Sequence, residues 1–148
     1  MRVTDFRSFG LEIEREAQLL SEIRTLLESA GPSDGPRHIR QVWKRSFEQL
    51  GWAGDVPVRG SNLTVGYIRE DVAVCIQLGN VARTYADMLK LQALFASDRI
   101  EVGVIVVPSD KWARELGSNH ACFTRLEREI ALFADVINLP LLVVGVGE

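Results

Sequence analysis

Apolar residues return every three to four positions through residues 9–29, where Leu11, Leu19, Leu20, Ile23, Leu26 and Leu27 sit among charges. That spacing predicts a helix with one buried stripe. Ala30-Gly31-Pro32 stops it, and residues 31–35 read as a loop of breakers. Pro36 suits the first turn of a second helix, in which Ile39, Val42, Trp43, Phe47 and Leu50 share a face and Gly51 marks the end. Residues 53–61 are punctuated by glycine and proline and show no period. Two short alternating runs follow, 63–68 and 72–78, around the polar turn Arg69-Glu70-Asp71, and they predict a hairpin. Residues 82–97 return to helical spacing, with Tyr85, Met88, Leu89, Leu91, Leu94 and Phe95 as a broad buried face. The run VGVIVV at 102–107 is continuously apolar, the pattern of a strand covered on both faces, and residues 139–146 repeat that pattern. Between them, Pro108-Ser109-Asp110 leads into a short helix ending near Gly117, and Phe123, Leu126, Ile130 and Phe133 mark another over 122–135.

The predicted order is α-α-β-β-α-β-α-α-β, with no internal repeat. An antiparallel opening pair followed by strands joined through helices makes an α/β fold with a mixed sheet. The 148 residues fit a single domain, with a helix and loop at 1–35 and the core over 36–148.

Composition narrows the class. Apolar residues make up 47% and charged residues 25%, which excludes a disordered chain. No apolar run approaches the ~18 residues of a membrane span, so no membrane partner is expected. The N-terminal MRVTDFRSFGLEIERE turns acidic where a signal peptide would be apolar, so a cytoplasmic location is expected. Cys75 and Cys122 stand far apart, as do His38 and His120, and neither pair suggests a disulfide scaffold or a zinc site. The net charge is −3, and the 17 basic residues are 14 Arg and 3 Lys. Arginine suits bidentate contacts to phosphate and guanine, although a GC-rich genome explains the bias equally well.

The informative stretch is VGYIREDVAVCIQLGNVARTYADMLK, residues 65–90. In its second strand Val72, Val74, Ile76 and Leu78 share one face made for burial. Ala73, Cys75 and Gln77 share the other, which shows a small residue, a thiol and an amide in a row. A turn around residues 69–71 sets Gly66 about opposite Cys75. Near this segment stand Glu70, Asp71, Asp87 and Glu101. Ordinary turn chemistry accounts for Glu70 and Asp71, and a helical pair with Arg83 or Lys90 accounts for Asp87. Cys75, flanked by apolar residues and with no nearby histidine, reads as a small buried hydrophobe and not as a nucleophile.

This layout resembles the PD-(D/E)xK nucleases, and within them the BglII-type restriction endonucleases. In that family one strand carries an Asp, and after a short turn the next carries Glu-x-Gln, Glu-x-Glu or Glu-x-Lys. A segment reading roughly aromatic, Gly-Asn, apolar-Ala-Arg, Tyr, Asp, Lys follows, and here the corresponding residues are Leu78, Gly79-Asn80, Val81-Ala82-Arg83, Tyr85, Asp87 and Lys90. VGVIVVP (102–108) and LPLLVVGV (139–146) are similar to the family's closing strands, so the resemblance covers roughly residues 40–146. It implies a restriction-endonuclease-like three-layer core, Mg²⁺ as cofactor, double-stranded DNA as partner and a symmetric homodimer. The family's catalytic positions fall on Gly66, Cys75 and Gln77, and two of the three lack the expected carboxylate. Mg²⁺ is a hard cation that wants carboxylate oxygens, and phosphodiester hydrolysis needs it to activate water. A thiol is a poor ligand for it, and an amide is no general base. No metal is therefore expected unless catalysis is retained, with Glu48 and Asp71 as the weak alternatives for ligands.

On the second predicted helix, Arg37, Arg40 and Lys44 fall on one face opposite the apolar residues, with Arg45 beside them, and would attract a phosphate backbone. A solvated cationic face is the plain alternative. Asn80 and Arg83 fall at or near a helix N-terminus, which binds phosphate readily; structural capping by Asn80 is the alternative of equal weight. Arg59 and Arg69 are loop candidates without further support. The expectation is a type II, BglII-type fold with a degenerate metal site that binds DNA without efficient cleavage. The alternatives are an active endonuclease with relocated acids, a protein-interaction module on the same fold, or an unrelated α/β domain whose hairpin matches by chance.

Overall fold

The computed structural model describes residues 1–31 and 35–148. In chain order the elements are β1 (Arg2–Phe9), α1 (Ile13–Glu28), α2 (Pro36–Gln49), β2 (Ala53–Pro57), β3 (Thr64–Arg69), β4 (Val72–Ile76), α3 (Ala82–Ala96), β5 (Val102–Pro108), α4 (Asp110–Leu116), α5 (Phe123–Leu132) and β6 (Leu141–Gly147). The two continuously apolar runs, β5 and β6, are buried along their whole length in the middle of a six-stranded sheet of order β1-β6-β5-β4-β3-β2. β4, β5 and β6 run parallel, while β1, β3 and β2 are antiparallel to their neighbours. The mixed α/β sheet expected from the pattern is the one found.

Both faces of the sheet are covered, which makes three layers. On one face α1 and α2 lay Leu19, Leu20, Ile23, Leu26, Leu27, Ile39, Trp43 and Phe47 on Val72, Val74, Val104, Val106, Leu142 and Val144. On the other, α3 and α5 lay Met88, Leu91, Leu94, Leu126 and Ile130 on Ala73, Cys75, Ile105, Val107, Leu141 and Val143. Each fully buried Leu, Ile or Phe is worth about 1.5–3 kcal/mol. Trp43, the largest fully buried side chain, satisfies its Nε1 on the Leu27 carbonyl at 2.8 Å and so fastens α2 to α1.

Several expectations need correction. The first helix begins at Ile13, and residues 2–9 are instead an edge strand paired with β6. Its charged residues and the irregularity between Val3 and Asp5 hide any alternation. The stretch 53–61, read as aperiodic, contains β2, an edge strand whose Asp55 takes a φ of 49°. Leu50, Leu89 and Phe133, placed on buried faces, are 50%, 60% and 40% exposed. The face of Ala73 and Cys75 is as buried as its opposite because α3 and α5 cover it, in keeping with the reading of Cys75 as a small buried hydrophobe. The helix stop at Ala30-Gly31-Pro32 and the loop at 31–35 fall partly on residues 32–34, outside the described residues.

The hairpin forms as read: β3 and β4 are antiparallel, Arg69 stands opposite Val72, and Glu70 turns the chain with a φ of 53°. Two ion pairs clip α1 to it. Arg15 Nη2 reaches both oxygens of Asp71, at 2.9 and 3.1 Å, and Arg69 pairs with Glu22. Arg69 also donates to the Leu50 carbonyl at 3.2 Å and lies 4.8 Å from the Trp52 ring centroid.

Candidate functional site

In open sheets with parallel strands, ligands gather beyond the carboxyl ends of those strands. Here that edge is where β4 runs out into Gln77-Leu78-Gly79-Asn80. The backbone leads to the same place by another route. α1 starts at the opposite edge, where Arg15 meets Asp71, and ends where the Met1 ammonium donates to the Ala30 carbonyl at 2.7 Å. Arg2 pairs with Gly147 at the carboxyl end of β6, so Ala30 lies at the carboxyl edge. α2 then returns, and Leu50 just beyond its end touches Arg69 at the far edge. The first turns of α2, with Arg37 and Arg40, therefore lie at the edge of Gln77, Asn80 and Arg83.

Gly66 and Cys75 do come together. A Cβ built on Gly66 would stand 4.0 Å from the Cys75 Cα and only 2.9 Å from the Val74 carbonyl oxygen. That second contact is to backbone, so any side chain at residue 66 must force the two strands apart. Cys75 is 3% exposed. Burial and then the Asp87 carboxylate push its thiol up to about 12, against the Gly66 N–H and the Lys90 ammonium, which favour the thiolate. The group is a neutral thiol across the physiological range.

Gln77 is also buried, and both ends of its amide are engaged. Its Oε1 accepts the Gly79 N–H at 3.1 Å, and its Nε2 donates to Asp87 Oδ2 at 3.3 Å. The other Asp87 oxygen takes Lys90 Nζ at 3.0 Å. The helical pair expected for Asp87 and Lys90 is thus present, but Asp87 is no solvated helix residue. It sits on the buried stripe of α3 with Thr84, Met88, Leu91 and Leu94, and it links Gln77 to Lys90 beside Cys75. The cluster keeps one carboxylate, Asp87, balanced by the Lys90 ammonium. The spacing of Asp87 with Thr84, Leu91 and Leu94 was the signal that could have placed it there.

This donor set does not fit Mg²⁺. Gly66 offers no ligand, the Cys75 thiol is soft and protonated, and Lys90 brings a positive charge to the one carboxylate. Among the described residues no three His, Cys, Asp or Glu side chains gather into a group that could hold a metal ion. The other acids are elsewhere. Asp71 is held by Arg15 at the opposite edge, and Glu48, on α2 across the sheet from α3, lies 3.9 Å from Lys44. Glu70 and Glu101 are exposed.

Arg37, Arg40, Lys44 and Arg45 are all exposed on α2, with Ile39, Trp43 and Phe47 buried behind them. Asn80 Oδ1 accepts the Ala82 N–H at 2.8 Å, a side-chain turn one residue ahead of the N-cap Val81 of α3, while Arg83 stays exposed. Arg59 is an exposed turn residue with a φ of 49°. His38 is exposed, and His120 Nδ1 lies 3.2 Å from the Gly117 carbonyl. Cys75 and Cys122 are both free thiols. On the α3–α5 side an apolar groove of about 310 Å³ is lined by Tyr85, Met88, Leu89, Phe133, Val136 and Ile137. No helix among the described residues is long and apolar enough to cross a membrane.

Comparison with known proteins agrees with this architecture. The chain superposes on the crystal structure of restriction endonuclease BglII complexed with a DNA 16-mer, with a TM-score of 0.81 and 16% identity, over 100% of this chain and 79% of that one. Against the crystal structure of free BglII the TM-score is 0.75, again at 16% identity, over 100% of this chain and 80% of that one. No curated protein sequence matches. The profile of the family described as restriction endonuclease BglII/BglIII matches residues 7–146, reaching further toward the N-terminus than the motif resemblance and taking in part of β1 and all of α1. The chain belongs to the BglII/BglIII restriction endonuclease family.

Proposed function

We propose that this chain is a family member that binds double-stranded DNA and does not hydrolyse it. The observation that carries the reading is the charge balance at the end of β4. Gly66 and Cys75 bring no carboxylate, and Asp87, buried beside them, is matched by Lys90 at 3.0 Å. A cation already sits against the one acid, so a divalent ion would have to displace it and find further oxygen ligands. Water there has no metal to lower its pKa, neither a neutral thiol nor an amide can take its proton, and the one carboxylate, Asp87, has both oxygens engaged by Gln77 and Lys90.

DNA binding is supported by the solved relative in complex with a DNA 16-mer and by the exposed Arg37, Arg40 and Arg83 at the carboxyl edge. Arg37 and Arg40 form no ion pair among the described residues, so their donors are free for phosphate. A homodimer belongs to the same reading, since a two-fold target calls for a two-fold protein, and the groove around Leu89 and Val136 is an apolar face suited to a second copy.

Fluorescence anisotropy with a labelled duplex in EDTA tests the binding half. The expected result is metal-independent affinity that falls steeply between about 50 and 200 mM salt. An affinity that is absent at low salt, with the protein folded, favours the interaction-module alternative.

A further inference from the structure

We propose that the cleft between α4 and α5 is a phosphate site, filled by a phosphate of the nucleic-acid backbone; the identity of the source rests on the DNA-binding reading above. The cleft has a volume of about 260 Å³, and its lining includes Arg114, His120, Thr124, Arg125, Arg128 and Asp110. Arg125 and Arg128 are three residues apart on α5 and project from one side of it. Arg114 faces them from the last turn of α4.

The charges on this lining do not cancel. Asp110 is its acid, and both carboxylate oxygens are engaged, by the Thr124 N–H at 3.1 Å and by the Thr124 hydroxyl. Burial pushes its carboxyl up, but the bonds from Thr124 and Cys122 and the charge of Arg114 outweigh that and hold it below its ordinary value. Arg125 is tied to Glu129 at 2.7 Å and to the Tyr85 hydroxyl at 3.3 Å. Arg128 donates from Nε to the Thr124 carbonyl at 3.3 Å, which leaves its terminal nitrogens without a protein partner among the described residues. Arg114 lies in the field of Asp110 and makes no ion pair among the described residues. Three guanidiniums against Asp110 and Glu129 leave one positive charge over, on a concave surface with unused forked donors, the geometry that suits a phosphate. A carbonyl can only accept, so His120 Nδ1 carries the proton toward Gly117, and Nε2 is the ring's open nitrogen.

The cleft is joined to the edge already described. Asn80 and His120 form an antiparallel bridge, Val81 N–H donates to the Asn119 carbonyl at 2.9 Å, and Ala121 N–H donates to the Gly79 carbonyl at 2.9 Å. The loop carrying His120 is thereby fixed against the Asn80–Arg83 segment, so a strand contacting Arg83 has the cleft beside it.

The test compares wild type with Arg114→Gln/Arg128→Gln, checked for folding by circular dichroism, in duplex binding across a salt series. The expected loss is about tenfold at low salt, and the slope of log K against log salt should shrink by about 1.8. Arg114→Lys/Arg128→Lys should keep most of the slope, and Arg99→Gln, at the opposite edge beside Glu70, should leave it unchanged. Inorganic phosphate should raise the melting temperature of wild type and not of the glutamine variant. If that shift is seen but the duplex slope is the same in both, the site takes free phosphate and its nucleic-acid role is overturned. If neither changes, the cleft is no phosphate site. A wild type that binds no duplex sinks the DNA reading, and the phosphate melt then decides the cleft on its own.

Discussion

Asp87 and Lys90 are held together because each is costly alone. Their side chains are only 10% and 20% exposed, so removing one leaves a charge without a partner in a largely desolvated place. Asp87→Ala should cost about 3 kcal/mol, read from urea denaturation, and Lys90→Met should cost at least as much, because it strands the less exposed partner, whereas a lone Lys90 can swing its ammonium toward water. Asp87→Leu with Lys90→Met should recover most of that loss. Cys75 makes a second prediction, in pH. Its folded value is raised to about 12, above the ordinary thiol range, so the unfolded chain releases this proton first. Its contribution to stability is intact below about pH 8.5 and is lost as pH rises toward 12. Denaturation midpoints between pH 8 and 10 should fall less in Cys75→Ala than in wild type. Gly66 has a separate constraint. Its absent Cβ leaves room for the Val74 carbonyl, so Gly66→Ala should destabilise by about 1–3 kcal/mol. Restoring an aspartate at 66 would meet the same backbone before it met a metal.

At the scale of elements, α1 is clipped to the hairpin by Arg15–Asp71 and Glu22–Arg69, and α2 presents its cations away from the core. Both members of the Arg15–Asp71 pair are about a third exposed, so Asp71→Asn should cost no more than about 1 kcal/mol. DNA binding should be unaffected, since that pair lies at the opposite edge from Gln77. The α2 stripe should behave in the other way. Arg37→Gln with Arg40→Gln should leave the denaturation midpoint within error and lower duplex affinity, with the salt slope reduced by about 1.8. An unchanged slope would return these residues to the role of a solvated face. What the helices show from sequence also differs by element. α1 and β5 declared themselves by strong periods and long apolar runs. β1 and β2 did not, because an edge strand is covered less fully and, in β1, carries charge where a central strand carries valine.

Across the whole molecule, the alternation of Val72–Ile76 and the continuous run of β5 were enough to give a mixed sheet with a hairpin at its side, and the family followed from the residues around them. The chemistry at the site was less legible. Sequence spacing brought Gly66 to Cys75, but it could not show that α3 would close over that face and set Asp87 against Gln77, because that contact depends on helix-to-sheet packing. Nor could it show the cleft of Arg114 and Arg128, whose members come from two helices joined by an aperiodic loop. The exposed groove of Leu89 and Val136 belongs to this scale too. If two copies meet there, Leu89→Glu with Val136→Glu should halve the mass seen by sedimentation and leave the monomer folded. The account as a whole depends on an active-site position that carries no divalent ion. Supercoiled plasmid incubated with Mn²⁺ or Mg²⁺ tests this most directly. The prediction is that the plasmid remains supercoiled at protein concentrations that fully bind it; chelator-sensitive nicking that disappears in Asp87→Asn would contradict it.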